Sequence, residues 1–194
     1  MLCKLYSRLR FALVLAIGLL CAPMAASAEA DQHVGGDDFN WEIGLWNTHV
    51  QVRAPLDANA AWTTFDGVSD IRALSGGRAN AVELSLVNAA GARIEGVSLR
   101  LFNPQTGQWS LNYASMRDGT LSAPVYGQFS DGRGVFFGQD TVEGRIVLVR
   151  FVISDVGANG ARFVQSYSAD SGQTWIDNWV ATDTRHAGPS RRRG

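Results

Sequence analysis

Five carboxylates of this sequence could converge inside a barrel: Glu83, Asp140, Glu143, Asp177 and Asp183. Two carboxyl groups facing each other across a cleft can share acid and base work at a glycosidic bond, but the outcome depends on their separation, which spacing along the chain does not supply. Most of these acids fall near turns, where capping turn amides is their ordinary task. Other chemistries are thinly provided for. The three histidines, His33, His49 and His186, are far apart, with no short spacing between any two. A zinc site draws three or four convergent ligands, so no metal is expected. There is no Gly-x-Ser-x-Gly elbow, and such an elbow needs a strand-to-helix turn. Nothing in the sequence calls for a cofactor.

Residues 1–28 read as an export signal. Lys4, Arg8 and Arg10 give a basic start, Phe11 to Ala22 is a short apolar run, and Ala26-Ser27-Ala28 supplies small residues at the cleavage positions. Glu29 is then the mature N-terminus and the location is periplasmic or secreted, with no integral membrane segment after cleavage; an uncleaved anchor is the alternative. Cys3, Cys21 and Lys4, the whole complement of cysteine and lysine, leave with that segment. The mature chain has no disulfide, thiol nucleophile or Schiff-base amine. Removing three of the 17 basic residues leaves 14 against 18 acidic, a net charge of about −4. Nucleic acid is an unsuitable partner for such a surface, because phosphate binding wants a basic face. The mature length suits one domain with a sizeable core.

The elements that would position any site are short strands. Residues 29–40 are polar and glycine-containing, a loose lead-in. From Trp41 the period is two: Trp46, Thr48, Val50 and Val52 share one face, and Asn47, His49, Gln51 and Arg53 the other. Similar runs follow at Ala61–Phe65, Ala81–Val87, Ile94–Phe102, Gln108–Ala114, Tyr126–Phe129, Gly134–Gln139, Arg145–Ser154, Ala161–Ser168 and Thr174–Arg185. Turn chemistry separates them, as at Gly76-Gly77, Thr106-Gly107, Asp131-Gly132 and Asn159-Gly160. No stretch carries an apolar stripe of period 3.6. The pattern predicts an all-β domain over residues 41–185, a single antiparallel up-and-down barrel of about 8–10 strands. Residues 186–194 form a basic tail ending in Arg191-Arg192-Arg193.

Several segments carry a resemblance. Phe39-Asn40-Trp41-Glu42-Ile43-Gly44-Leu45-Trp46, Gly76-Gly77-Arg78-Ala79, the run from Leu101 to Trp109 and the run from Ser168 to Trp175 stand in order across nearly the whole mature chain. Together they resemble a family of uncharacterised bacterial secreted proteins with a lipocalin-like, calycin-type β-barrel. The wider lipocalin class implies a first-strand Gly-x-Trp whose indole sits at the closed end under an arginine from the last strand; here these are Gly44, Trp46 and Arg185. An indole is an efficient plug for a barrel end, and a guanidinium on its face adds roughly 0.5–2 kcal/mol. The family implies no activity.

Ser168-x-Asp170-x-Gly172-x-Thr174-Trp175 also matches the Asp-box of sialidases and other propellers. It occurs once, whereas propellers repeat it from blade to blade, and this chain is too short for six blades. A local, structural task is expected: Asp170 bonding turn amides, Gly172 at positive φ, Trp175 folded over the hairpin.

Six tryptophans are many for this length. Indoles bury well yet want a partner for their N–H, which suits an amphipathic cavity. Trp179 shares parity with Asp183 and Arg185, while Trp109, Leu111 and Tyr113 share a face. The expected cup therefore has Trp109, Tyr113 and Trp179 as its aromatic wall, with Asp183 and Arg100 as polar groups that orient a ligand. The leading reading is an exported, lipocalin-like binding protein for a small apolar or amphipathic molecule. A barrel that meets another protein or a second copy of itself is the first alternative, suggested by Ile146-Val147-Leu148-Val149, which is apolar on both parities. An enzyme using lumenal Asp, Glu or Arg on a small hydrophobic substrate is the second.

Overall fold

The computed structural model describes residues 35–187; residues 1–28, expected to be an export signal, and the three terminal arginines lie outside them. Eleven strands follow in order: β1 (Gly44–Val52), β2 (Thr63–Leu74), β3 (Ala79–Val87), β4 (Arg93–Asn103), β5 (Gln108–Ser115), β6 (Thr120–Leu121), β7 (Val125–Ser130), β8 (Arg133–Val142), β9 (Arg145–Ser154), β10 (Gly160–Ser168) and β11 (Ile176–Arg185). Each long strand pairs antiparallel with the next, β5 passing to β7, and β1 pairs with β11. Ten strands thus close an up-and-down barrel, and β6 is a short extra on β5. Closure leaves no long edge to be covered. Among the described residues the only helical pieces are three 3-10 turns, and no helix is long and apolar enough to cross a membrane.

Period-two alternation builds these strands. In β1, Trp46, Thr48 and Val50 are buried and the residues between them are exposed. Two hairpins turn on adjacent positive-φ residues, Asp131-Gly132 (52°, 73°) and Glu143-Gly144 (50°, 75°). That geometry follows the twist of the flanking strands and keeps the register tight.

Three expectations are corrected. The first strand starts at Gly44, because Asn40–Glu42 forms a 3-10 turn. The lead-in is not loose where it is described: Phe39 is 1% exposed and stacks edge-on against Trp109 and Phe129, at 4.9 and 5.1 Å between ring centroids. A polar, glycine-containing stretch reads as loose because one buried aromatic does not show as a period. Likewise β2 runs on to Leu74, well past Phe65, since Gly67, Ser69 and Asp70 interrupt its apolar alternation.

Candidate functional site

The closed end is built first. Trp46 is fully buried and donates its indole N–H to the Glu42 carbonyl at 2.5 Å. The Arg185 guanidinium lies 3.8 Å from the Trp46 ring centroid. It also donates to the carbonyls of Ile43 (2.9 Å) and Trp41 (2.6 Å). Gly44 has φ of 125°, and a Cβ there would stand 3.1 Å from Arg185 Nη1. Glycine thus meets both needs, the left-handed backbone and the room for a guanidinium. Phe39, Trp109, Phe129 and Phe136 fill the same end of the barrel beside them.

Above this plug lies a cavity of about 340 Å³. Its wall is largely apolar, with Leu111, Val149, Phe151, Phe163 and Trp179 among the lining residues. Tyr113 lines it too and lies so close over Gly96 that a Cβ would overlap its ring. Burial, and next the Asp118 carboxylate, push the Tyr113 phenol up. Towards the open end, Tyr167 donates its hydroxyl to Asp140 at 3.0 Å and accepts from Gln165 at 3.2 Å. Burial foremost, and that carboxylate, drive the Tyr167 phenol far above its ordinary value.

The floor is polar. Arg100 and Glu42, 6% and 1% exposed, form a two-pronged ion pair whose second bond, Nη2 to Oε1, is 3.1 Å. Arg100 also lies 4.4 Å over the Phe39 ring. Thr48 and Ser69 share a hydroxyl hydrogen bond of 2.7 Å. Asp183, opposite Thr48 in the β1–β11 register, is 4% exposed and its Oδ1 has no hydrogen-bond partner. Desolvation above all pushes its carboxyl up to about 7; Glu42 adds to the rise, while the Thr48 hydroxyl and Arg100 work against it.

Of the residues expected at the cup, Tyr113, Trp179, Asp183 and Arg100 line the cavity. Trp109 does not. It faces inward but is fully buried in the plug, with its N–H given to the Gly35 carbonyl at 2.7 Å. Parity set its face correctly; its height along the barrel, at the start of β5, decides that it seals the end and leaves the wall to others. Glu42, Thr48 and Ser69 were missed. Glu42 had a signal, a lone acid between Trp41 and Ile43, but the 3-10 turn there defeats a parity argument.

The five carboxylates do not converge. Glu83 faces outward to Arg72 at 2.8 Å, Asp177 accepts from Ser166, Glu143 sits in a hairpin turn, Asp140 serves Tyr167, and Asp183 alone is at the floor. His49 bonds Asp66 at 2.7 Å on the outer face. In the Asp-box turn, Asp170 accepts from the Thr174 amide (2.9 Å) and hydroxyl (2.7 Å), and from the Ser168 hydroxyl (2.7 Å). Those bonds, the Thr174 amide first, hold the Asp170 carboxyl down at about 2. Gly172 has φ of 88°, Trp175 donates to its carbonyl at 3.1 Å, and Arg150 lies 4.4 Å over Trp175. A Cβ on Gly172 would lie 3.6 Å from Leu148, so the hairpin stands over that outward residue of β9, whereas Ile146 on the same side stays 75% exposed.

No family model matches the chain, and no curated protein matches it. Among solved structures it is similar to the S-type phycobiliprotein lyase CPES from Guillardia theta, with a TM-score of 0.56 at 10% identity, over 77% of this chain and 91% of that one. EF1p2_mFAP2b bound to DFHBI gives a TM-score of 0.44 at 11% identity, over 78% and 99% of the two chains. A de novo designed fluorescence-activating β-barrel gives 0.43 at 8%, over 77% and 98%. At such identities the likeness is one of fold, a β-barrel.

Proposed function

We propose that this chain is an exported binding protein whose barrel holds one small apolar or amphipathic molecule. The observation that carries the reading is the lumenal cavity: about 340 Å³, within the 300–1,000 Å³ of small-molecule sites, apolar along its wall and polar at its floor. One end of the barrel is sealed by Trp46, Arg185 and the Phe39 cluster. CPES shares the fold alone, so its lyase chemistry does not enter. Export rests on the basic start, apolar run and Ala26-Ser27-Ala28 of the first 28 residues.

Titration with N-phenyl-1-naphthylamine, an uncharged fluorescent probe, tests the binding reading. One saturable site is expected, with quenching of tryptophan emission that largely disappears in Trp179→Phe. A barrel that takes up neither this probe nor any member of a small hydrophobic library overturns it. Export is checked separately: on expression in a bacterial host, the periplasmic or secreted protein should begin at Glu29.

A further inference from the structure

We infer that the lumen prefers an amphipathic molecule with a cationic amine head, seated on Asp183 at the floor, over one with a carboxylate head. This rests on the binding reading above and specifies it. The floor holds three ionisable side chains, and two of them answer each other. Arg100 gives both prongs of its guanidinium to Glu42 and its face to Phe39. As a pair they present little net charge to a ligand, and the charge of the guanidinium is already answered by Glu42.

Asp183 is different. It lines the cavity, is 4% exposed, and leaves Oδ1 without a partner. A buried acceptor without a donor is costly, so a donor arriving down the lumen is rewarded, a charged one most. The neighbours facing Asp183 are Thr48 on β1, Ala161 on β10, Glu42 from the turn before β1 and Arg100 on β4; Arg185, next inward on its own strand, lies on Trp46. None supplies an uncommitted positive charge. A carboxylate head would meet Asp183 and Glu42 with no cation to spare, whereas an ammonium would complete the missing one. The apolar residues above, Trp179, Phe151 and Phe163, suit the hydrocarbon part.

Seating an ammonium requires Asp183 ionised. Burial holds its proton on up to about pH 7, so amine binding should expel that proton and strengthen as pH rises towards 7.

Displacement of N-phenyl-1-naphthylamine by octylamine, octanol and octanoate, three heads on one chain, tests this. Octylamine should displace the probe at roughly a tenfold lower concentration than octanol, with octanoate weakest. The octylamine-to-octanol ratio should collapse by roughly 10- to 100-fold in Asp183→Asn. Octylamine affinity should rise between pH 5 and pH 7 in the unaltered protein and lose that rise in the variant. Octanoate binding as well as octylamine, or an unchanged ratio in the variant, overturns the inference and leaves the binding reading standing. Failure of the probe itself to bind is the separate failure of the binding reading. Should Asp183→Asn not fold, calorimetry of the unaltered protein in buffers of different ionisation enthalpy decides: octylamine at pH 6 should release close to one proton, and release of none refutes the seat on Asp183.

Discussion

At the scale of single residues, Asp183 makes stability depend on pH. Its carboxyl titrates near 7 in the folded barrel and near 4 in an unfolded chain. Folding therefore takes up a proton between those values, so stability should fall as pH rises from about 4 to about 7. The loss is of the order of 2–4 kcal/mol before relaxation of the floor reduces it. Thermal midpoints of the unaltered protein should decline across that window relative to Asp183→Asn; parallel pH profiles would refute the assignment. The Glu42–Arg100 pair behaves otherwise. Glu42→Ala strands a guanidinium that is 6% exposed, and the expected cost is about 3–5 kcal/mol by denaturant unfolding. A cost below about 1 kcal/mol would show that water reaches Arg100.

At the scale of the element, the Asp-box hairpin acts as a clip between β10 and β11. Its bonds run from Ser168 and Thr174 to one carboxylate, and Trp175 is laid between Arg150 and Phe137 on the outer face. Asp170→Ala should lower the thermal midpoint. Because Asp170 is held down at about 2, the stability it gives is present above pH 4 and disappears as pH falls through 2. No sialidase activity is expected: hydrolysis of a fluorogenic sialoside that vanishes in Asp170→Ala would overturn the structural role. This turn was legible in the sequence because Asx bonding and the positive-φ glycine are local matters, settled within a single turn. The 3-10 turn at Asn40–Glu42 was not, since its reason is the plug it completes.

At the scale of the whole molecule, the barrel has two unlike ends. One is closed by aromatic rings and by two arginine stacks, Arg185 on Trp46 and Arg100 on Phe39. The lining residues Gln139, Asp140 and Tyr167 stand at the other. Phe39, supplied by the lead-in, belongs to the core as much as any strand residue. Phe39→Ala should cost about 3–5 kcal/mol, the range for large buried aromatics, measured by chemical denaturation. A change within about 0.5 kcal/mol would mean that the lead-in is an ornament on a barrel sealed by Trp46 alone.

What the sequence determined by itself was the fold class and much of the facing. An antiparallel barrel exposes one side of every strand and buries the other, so period-two patterning and hairpin turns are written locally; Trp179, Asp183 and Arg185 shared a face before any strand was paired with another. Only the tertiary structure decided height and partnership. Trp109 and Tyr113 alternate identically on β5, yet one caps the barrel and the other lines its cavity. Arg100 and Glu42 are brought together from distant parts of the chain, and the Oδ1 atom of Asp183 is left without a hydrogen-bond partner beside them. Such facts depend on the register between strands and on how rings fill a closed end, which are set by packing across the lumen and leave no period along the chain.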